Sequence, residues 1–308
     1  MASVDSQLVD FVRLLIGIGF LAIASQRDLR TRTVPNRLWF VMFFAGVIML
    51  EVGYLLTKAP SVMLLTPIPA MIIFIVIFTE GEPAEDSLSK AGNAALTLVL
   101  LLVGLGIIIY QGLALNFSND WARSLHIPIM IAVAYLFYLV RVLHGGADAK
   151  ALMALAVLAP FYPIMGPMPL IANLDAITLV LPFALVVLFD SALAAMLVPL
   201  GYAVYNLGRG DVDRKMFFGY RLPLRKVPDR FVWLMERVED GDIVTELFPK
   251  RRTKKALMKD VDNLRKAGRK VAWVTPKMPF MVPMLFGYLL AFTVGNIILG
   301  LFLWIAGF

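Results

Sequence analysis

The chain has 308 residues, 60% of them hydrophobic and 17% charged, with a formal net charge of +7. A soluble domain carries about 45–50% apolar and about 25% charged residues, so a one-core soluble enzyme, a disordered chain and a secreted disulfide scaffold are excluded. With no cysteine and only His126 and His144, the chain has no disulfide, thiolate zinc site, cysteine nucleophile or His-rich metal site.

A bilayer core of about 30 Å asks for about 20 apolar residues per helix. Eight stretches are read as spans: 8–26, 36–57, 61–79, 91–112, 127–143, 149–165, 175–205 and 279–306. The first two and the last are the clearest. The stretch 149–165 is short and runs into Pro-rich sequence. Pro182 and Pro199 predict a kink or an emergent helix end within 175–205. The N-terminus lacks a basic n-region and a small-residue cleavage site, so 8–26 is expected to be a mature span.

Charge is concentrated in residues 207–278, which hold 29 of the 51 charged side chains, 19 of them basic and 10 acidic. This predicts three regions: transmembrane residues 1–206, a basic cytoplasmic domain 207–278, and a C-terminal transmembrane helix 279–308. Within the domain, 250–267 reads as a helix with Leu257, Val261 and Leu264 on one face, stopped by Gly268. Val271 to Val274, and Phe231 to Leu234, read as strands. The expected fold is an all-α polytopic membrane protein of about eight helices with a small α+β cytoplasmic domain before the last one.

Loop charge orients the spans. Arg27, Arg30, Arg32 and Arg37 crowd the first link, Arg141 and Lys150 flank another, and 207–278 is basic. The positive-inside rule places all three in the cytoplasm, as eight crossings with the N-terminus outside require. The acidic link 80–90, with Glu80, Glu82, Glu85 and Asp86, must share that side.

Two segments break the apolar pattern. Arg27-Asp28-Leu29-Arg30-Thr31-Arg32-Thr33-Val34-Pro35-Asn36-Arg37 closes the first span. His144-Gly145-Gly146-Ala147-Asp148-Ala149-Lys150 opens the sixth. Each brings one aspartate to the same membrane face. The bland readings are that Asp28 balances neighbouring arginines, that Asp148 is a helix N-cap and that the glycines form a turn. The functional reading joins the two carboxylates. Brought together, they share a proton: the charged member takes a proton from water and the protonated member donates to a scissile carbonyl. Glycines at 145 and 146 let a substrate backbone approach Asp148 closely.

Asp190, near the middle of the seventh span, is a further candidate, more simply read as a packing carboxyl. Glu51 and Arg13 are expected to snorkel from span ends, and Tyr202, Tyr205, Trp273 and Trp304 to mark interfaces. The mixed charge of 207–278 argues against nucleic acid and suits anionic lipid headgroups.

The two aspartate segments resemble the prepilin peptidase family of membrane aspartic proteases, the Gly-x-Gly-Asp type, and more closely its archaeal preflagellin branch. Val271-Ala272-Trp273-Val274-Thr275-Pro276-Lys277-Met278-Pro279-Phe280 is also similar to the C-terminal region of archaeal members. The resemblance implies catalytic aspartates at Asp28 and Asp148. It aligns Gly145, Gly146 and Ala147 with the Gly-x-Gly stretch, Ala147 being a departure, and Lys150 with a lysine of unassigned role. Spans 3 and 4 look like an inserted pair. The implied activity is removal of a basic leader from preflagellin or type IV prepilin-like precursors at the cytoplasmic face, without a cofactor. Bifunctional relatives carry a cysteine-rich segment that this chain lacks, so no methyl transfer is expected. The alternative is a transporter or scaffold in which Asp28, Asp148 and Asp190 serve ion coupling or packing.

Overall fold

The computed structural model describes residues 4–79, 87–143, 145–171, 175–239, 241–249 and 252–305, with the side chains of 79 and 87–91 left aside. The N-terminal helices are α1 (Val4–Thr31), α2 (Asn36–Leu56), α3 (Pro67–Thr79) and α4 (Ser87–Ala114). Then come α5 (Asn119–Ser124), α6 (His126–Leu139), α7 (Gly146–Leu158), α8 (Asp175–Val180), α9 (Phe183–Met196) and α10 (Val198–Leu207). After a mixed segment holding α11 (Lys254–Lys266), the chain closes with α12 (Met281–Thr293) and α13 (Ile297–Ile305). Residues 80–86, which hold the four acidic side chains of the link 80–90, lie outside the described residues, as does His144.

Among the described residues, six helices are long and apolar enough to cross a membrane, and seven if the bent pair α12–α13 is one span. This supports a multi-pass membrane protein without reaching the expected eight. The difference lies in the stretch 149–165, where α7 stops after 13 residues at Leu158. Its length is about 20 Å, short of a bilayer core. Ala149 and every residue from Ala151 to Leu158 are buried. An all-round apolar helix of this kind belongs at the centre of a bundle.

The chain forms two compact units, Met1–Leu193 with Phe280–Phe308, and Ala194–Pro279. In the first, α7 packs on α2 and α6, while α1 packs on α12 and α2. Phe43 stacks on Phe74 with centroids 4.0 Å apart. Phe74 of α3 is thus core, so α3 is no peripheral addition. Its partner α4 is the exposed one, its apolar window only 6% buried.

Arg13 does not snorkel. It is 5% exposed, paired to Asp10 at 3.1 Å and bonded to the Met49 carbonyl at 3.2 Å. A carboxylate one turn away makes burial cheaper than reaching the interface. Asp10 also accepts from the Ile164 N–H at 3.0 Å, which ties α1 to the loop after α7.

The last span is bent by 58° between α12 and α13. Leu170 and Ile171 N–H groups donate to the Thr293 and Val294 carbonyls at 3.0 and 2.8 Å. Asn296 Oδ1 accepts from Leu299 N–H at 3.0 Å. Backbone groups freed by the break are therefore met by protein, as a low-dielectric setting demands.

The second unit holds a small sheet, as read from the sequence. Strands β1 (Tyr220–Pro223) and β2 (Val232–Leu234) flank β5 (Val271–Pro276), all antiparallel, and β3 (Glu236–Glu239) pairs with β4 (Asp242–Thr245). Thr253 caps α11 by accepting from Ala256 N–H at 3.2 Å. Gly268 follows with φ +81°, the left-handed stop expected there. Val261 and Leu264 of α11 join Leu222, Val232 and Val274 in the core. Trp273 is 2% exposed in the central strand, so it is a core residue rather than an interfacial one.

Candidate functional site

Asp28 sits in the last turn of α1, because the helix continues past the apolar run to Thr31. One turn earlier, Ser25 is buried and its hydroxyl donates to the Met281 carbonyl at 2.9 Å. The Met281 N–H, in the first turn of α12, lies near enough to the Asp28 carboxyl to act on it. The start of the last span is thereby pinned to the helix that carries Asp28.

Asp148 lies in the first turn of α7. Gly145 is the N-cap residue, so Asp148 is three positions inside the helix rather than the cap itself. Its carboxyl folds back beside Gly145, toward the Gly145 N–H. That is the direction taken by the return half of a capping box, toward a donor the helix leaves orphaned. The folded-back carboxyl occupies the space beside Gly145. A Cβ there would stand 3.0 Å from Asp148 Cγ and closer still to Oδ2. Gly145 is thus required by a close approach within the protein. Gly146 is less constrained, its nearest neighbour beyond the helix being Tyr138 at 3.7 Å, and Ala147 is half-buried against the core.

The fold brings the two aspartates within electrostatic reach of each other. The Asp148 carboxyl is pushed up to about 7, first by burial, then by the Asp28 charge, with the Gly145 N–H opposing. Like charges at close quarters cannot both form cheaply, so the pair favours one shared proton. Both residues remain half-buried rather than sealed. The arrangement therefore offers one group ready to accept a proton and one ready to give it, near neutral pH.

Lys150 turns away from this pair. Its ammonium donates to Asn36 Oδ1 at 2.8 Å and lies 4.6 Å from the centre of the Phe78 ring. It joins the start of α7 to the start of α2 and to α3. Asp190 lies elsewhere, wholly buried on α9. It faces the Ile297 N–H at the start of α13, yet neither carboxyl oxygen makes a well-formed hydrogen bond among the described residues. The sequence offers Asp190 as a further candidate, more simply a packing carboxyl, and the fold sets it against the break in the last span.

A cavity of ≈850 Å³, lined in part by Tyr54, Lys58, Arg123, His126, Phe161 and Tyr162, lies at the far ends of α2 and α7. Neither Asp28 nor Asp148 lines it, so its size does not mark it as their site. Among the described residues no cluster of three ligating side chains could hold a metal ion. Sequence reasoning missed Ser25 and Met281. Ser25 is one helical turn from Asp28, a visible signal, whereas nothing local ties Met281 to either.

Comparison with known proteins finds two family models. Residues 15–91 match the Type IV leader peptidase family, and residues 214–297 match the Archaeal Peptidase A24 C-terminus Type II. The first match contains Asp28 and runs through α3. The second contains most of the sheet unit and the start of the last span. A curated preflagellin peptidase from Methanocaldococcus jannaschii is 26% identical over 211 residues, covering 65% of this chain and 84% of that protein. The resemblance read from the motifs is borne out.

Proposed function

We propose, from a chain that resembles the type IV leader peptidases in its N-terminal spans and its C-terminal part, that Asp28 and Asp148 form the catalytic pair of an aspartic endopeptidase. The comparisons support a membrane peptidase of the leader-processing kind. The substrate proposed is a preflagellin or type IV prepilin-like precursor, with a basic leader followed by an apolar helix. The observation that carries the reading is the Asp148 carboxyl held near neutral titration beside Asp28.

The ionised carboxyl removes a proton from water as the water oxygen bonds to the scissile carbonyl carbon. The protonated carboxyl gives its proton to the carbonyl oxygen, forming a neutral gem-diol. On collapse, the C–N bond breaks and the leaving nitrogen takes the proton first drawn from water. The other aspartate recovers its own from the diol hydroxyl. Water is the sole co-reactant and each carboxyl returns to its starting state. A helical substrate must unwind locally, since a helix hides its peptide bonds.

The positive-inside arrangement of the first link and of the charged segment supports a cytoplasmic site, where a basic leader meets an apolar segment. Cleavage is proposed without methyl transfer. The transporter reading rests on Asp190 beside a broken span, a pattern that transporters use. It leaves the pairing of Asp28 with Asp148 unexplained. The test is incubation of membranes bearing the protein with a precursor subunit. The wild type is expected to shorten it, and Asp28→Asn and Asp148→Asn to leave it intact while still inserting. Full processing by either variant would remove the pair from the mechanism.

A further inference from the structure

Asp148 stands in a turn that is poorly secured at its own end. Helix α7 is entered through Gly145 and Gly146, and among the described residues no side chain caps it. Two glycines and an uncapped start leave the backbone freedom just where the carboxyl must be placed. Among the described residues, the side-chain hydrogen bond that ties this turn to another helix comes from Lys150. Lys150 is two positions after Asp148, about 200° round the helix, so the two side chains leave the turn on nearly opposite sides.

The half-buried Lys150 is held without a carboxylate. Its Nζ donates at 2.8 Å to Oδ1 of Asn36, the first residue of α2. It also lies 4.6 Å from the centre of the Phe78 ring, in the last turn of α3. An amide oxygen and a ring face bind a cation without adding a third negative charge to the turn that carries Asp148. The Phe78 ring is itself backed by Phe74, with centroids 4.3 Å apart, and Phe74 stacks on Phe43 of α2 at 4.0 Å. The ammonium therefore rests on the end of an aromatic column rooted in the core.

We propose that Lys150, held by Asn36 and Phe78, is a positioning residue that fixes the first turn of α7 and with it the place of Asp148. The proposal rests on the peptidase reading above and adds α3 to the apparatus of that site. Three helices meeting at one ammonium restrain the turn from rotating about its axis. A small displacement of a reacting carboxyl is costly to turnover, so the clamp acts on kcat.

The test measures kcat and KM for the full chain in detergent, with a precursor peptide spanning the basic leader and apolar segment, each rate normalised to folded protein. Lys150→Met keeps the apolar stem and is expected to lower kcat about tenfold, with KM within about twofold of the wild type. A guanidinium can both donate and stack on a ring, so Lys150→Arg is expected to stay within about threefold of the wild-type kcat. Phe78→Leu is expected to lower kcat, and the double variant Lys150→Met with Phe78→Leu to be no slower than Lys150→Met, because both changes remove one clamp. Nitroxide labels on Asp28→Cys and Asp148→Cys give a readout that needs no turnover: adding Lys150→Met is expected to weaken their dipolar broadening. An unchanged kcat in Lys150→Met overturns the proposal. So does a change confined to KM, which would place Lys150 on the substrate, an equal loss in Lys150→Arg, or additive losses in the double variant. A wild type that cleaves no precursor removes the peptidase reading, and the label spectra then decide for or against the clamp.

Discussion

The Ser25 hydroxyl donates a 2.9 Å hydrogen bond to the Met281 carbonyl, joining the last turns of α1 to the first turn of α12 across 256 positions of sequence. A second rung lies deeper in the same helix pair, where the buried Tyr288 hydroxyl donates to the Arg13 carbonyl at 2.8 Å. The last span is thus fastened to α1 at two levels, and the upper fastening fixes Met281, whose N–H acts on the Asp28 carboxyl. Ser25→Ala should cost about 1 kcal/mol of stability, the usual net value of one such bond. Its effect on kcat should be larger than that loss suggests, roughly tenfold, because a small displacement of a reacting group is expensive. Steady-state cleavage checks this: a fall in kcat with KM preserved is expected, and an unchanged kcat would show that Met281 holds its place without Ser25.

Gly145 and Gly146 look equivalent in sequence but not in space. A methyl at 145 would collide with the Asp148 carboxyl, whereas at 146 it would meet only Tyr138 at ordinary contact distance. Gly145→Ala should therefore reduce cleavage by about a hundredfold through displacement of the carboxyl. Gly146→Ala should stay within about threefold of the wild type, since ordinary contact adds little strain. Parallel rates for the two proteins, normalised to folded material, decide the matter. Equal losses would mean that substrate backbone, not Asp148, occupies the space at both positions.

The raised Asp148 titration gives the pH dependence its sign. An acid catalyst must carry its proton, and the carboxyl loses it as pH rises through about 7. The Asp148-dependent limb should therefore be full below that value and fall above it, tenfold per pH unit once well past it. Measurement of kcat/KM between pH 5 and 9 would show the descent. A plateau reaching pH 9 would mean that Asp148 is not the proton donor in the free enzyme.

Asp190 is the carboxyl the sequence reads more simply as a packing group. It faces the start of α13 across the break in the last span, remote from the pair at the start of α12. Asp190→Asn retains the shape and offers a donor as well as an acceptor, so more than about half of the cleavage rate should remain. Loss as deep as that in Asp28→Asn would bring Asp190 into the chemistry and mean that the catalytic pair is wrongly chosen.

Much of this architecture is written in local pattern. Long apolar runs gave α1 and α2, the spacing of Leu257, Val261 and Leu264 gave α11, and Gly268 marked its end. The two aspartate segments stood out because charge beside an apolar boundary is costly. What escaped was set by partners distant in sequence. The run from Ala149 onward is apolar on every side, and composition alone cannot tell a buried 13-residue helix from a span. The bend at Gly295-Asn296 depends on Leu170 and Ile171, which supply its backbone bonds from another loop. Trp273 looked interfacial because tryptophan favours that zone, but its strand is the middle one of three. Arg13 was misread although Asp10 lies one turn away, a spacing that favours pairing on the same helix face.

The central claim is that the ends of α1 and α7 carry Asp28 and Asp148 to one place. The chain has no native cysteine, so nitroxide labels can be put at these two positions alone through Asp28→Cys and Asp148→Cys. Continuous-wave spectra of the doubly labelled protein in lipid should show strong dipolar broadening that the singly labelled forms lack. A spectrum equal to the sum of the two single-label spectra would place the carboxyls apart and contradict the account.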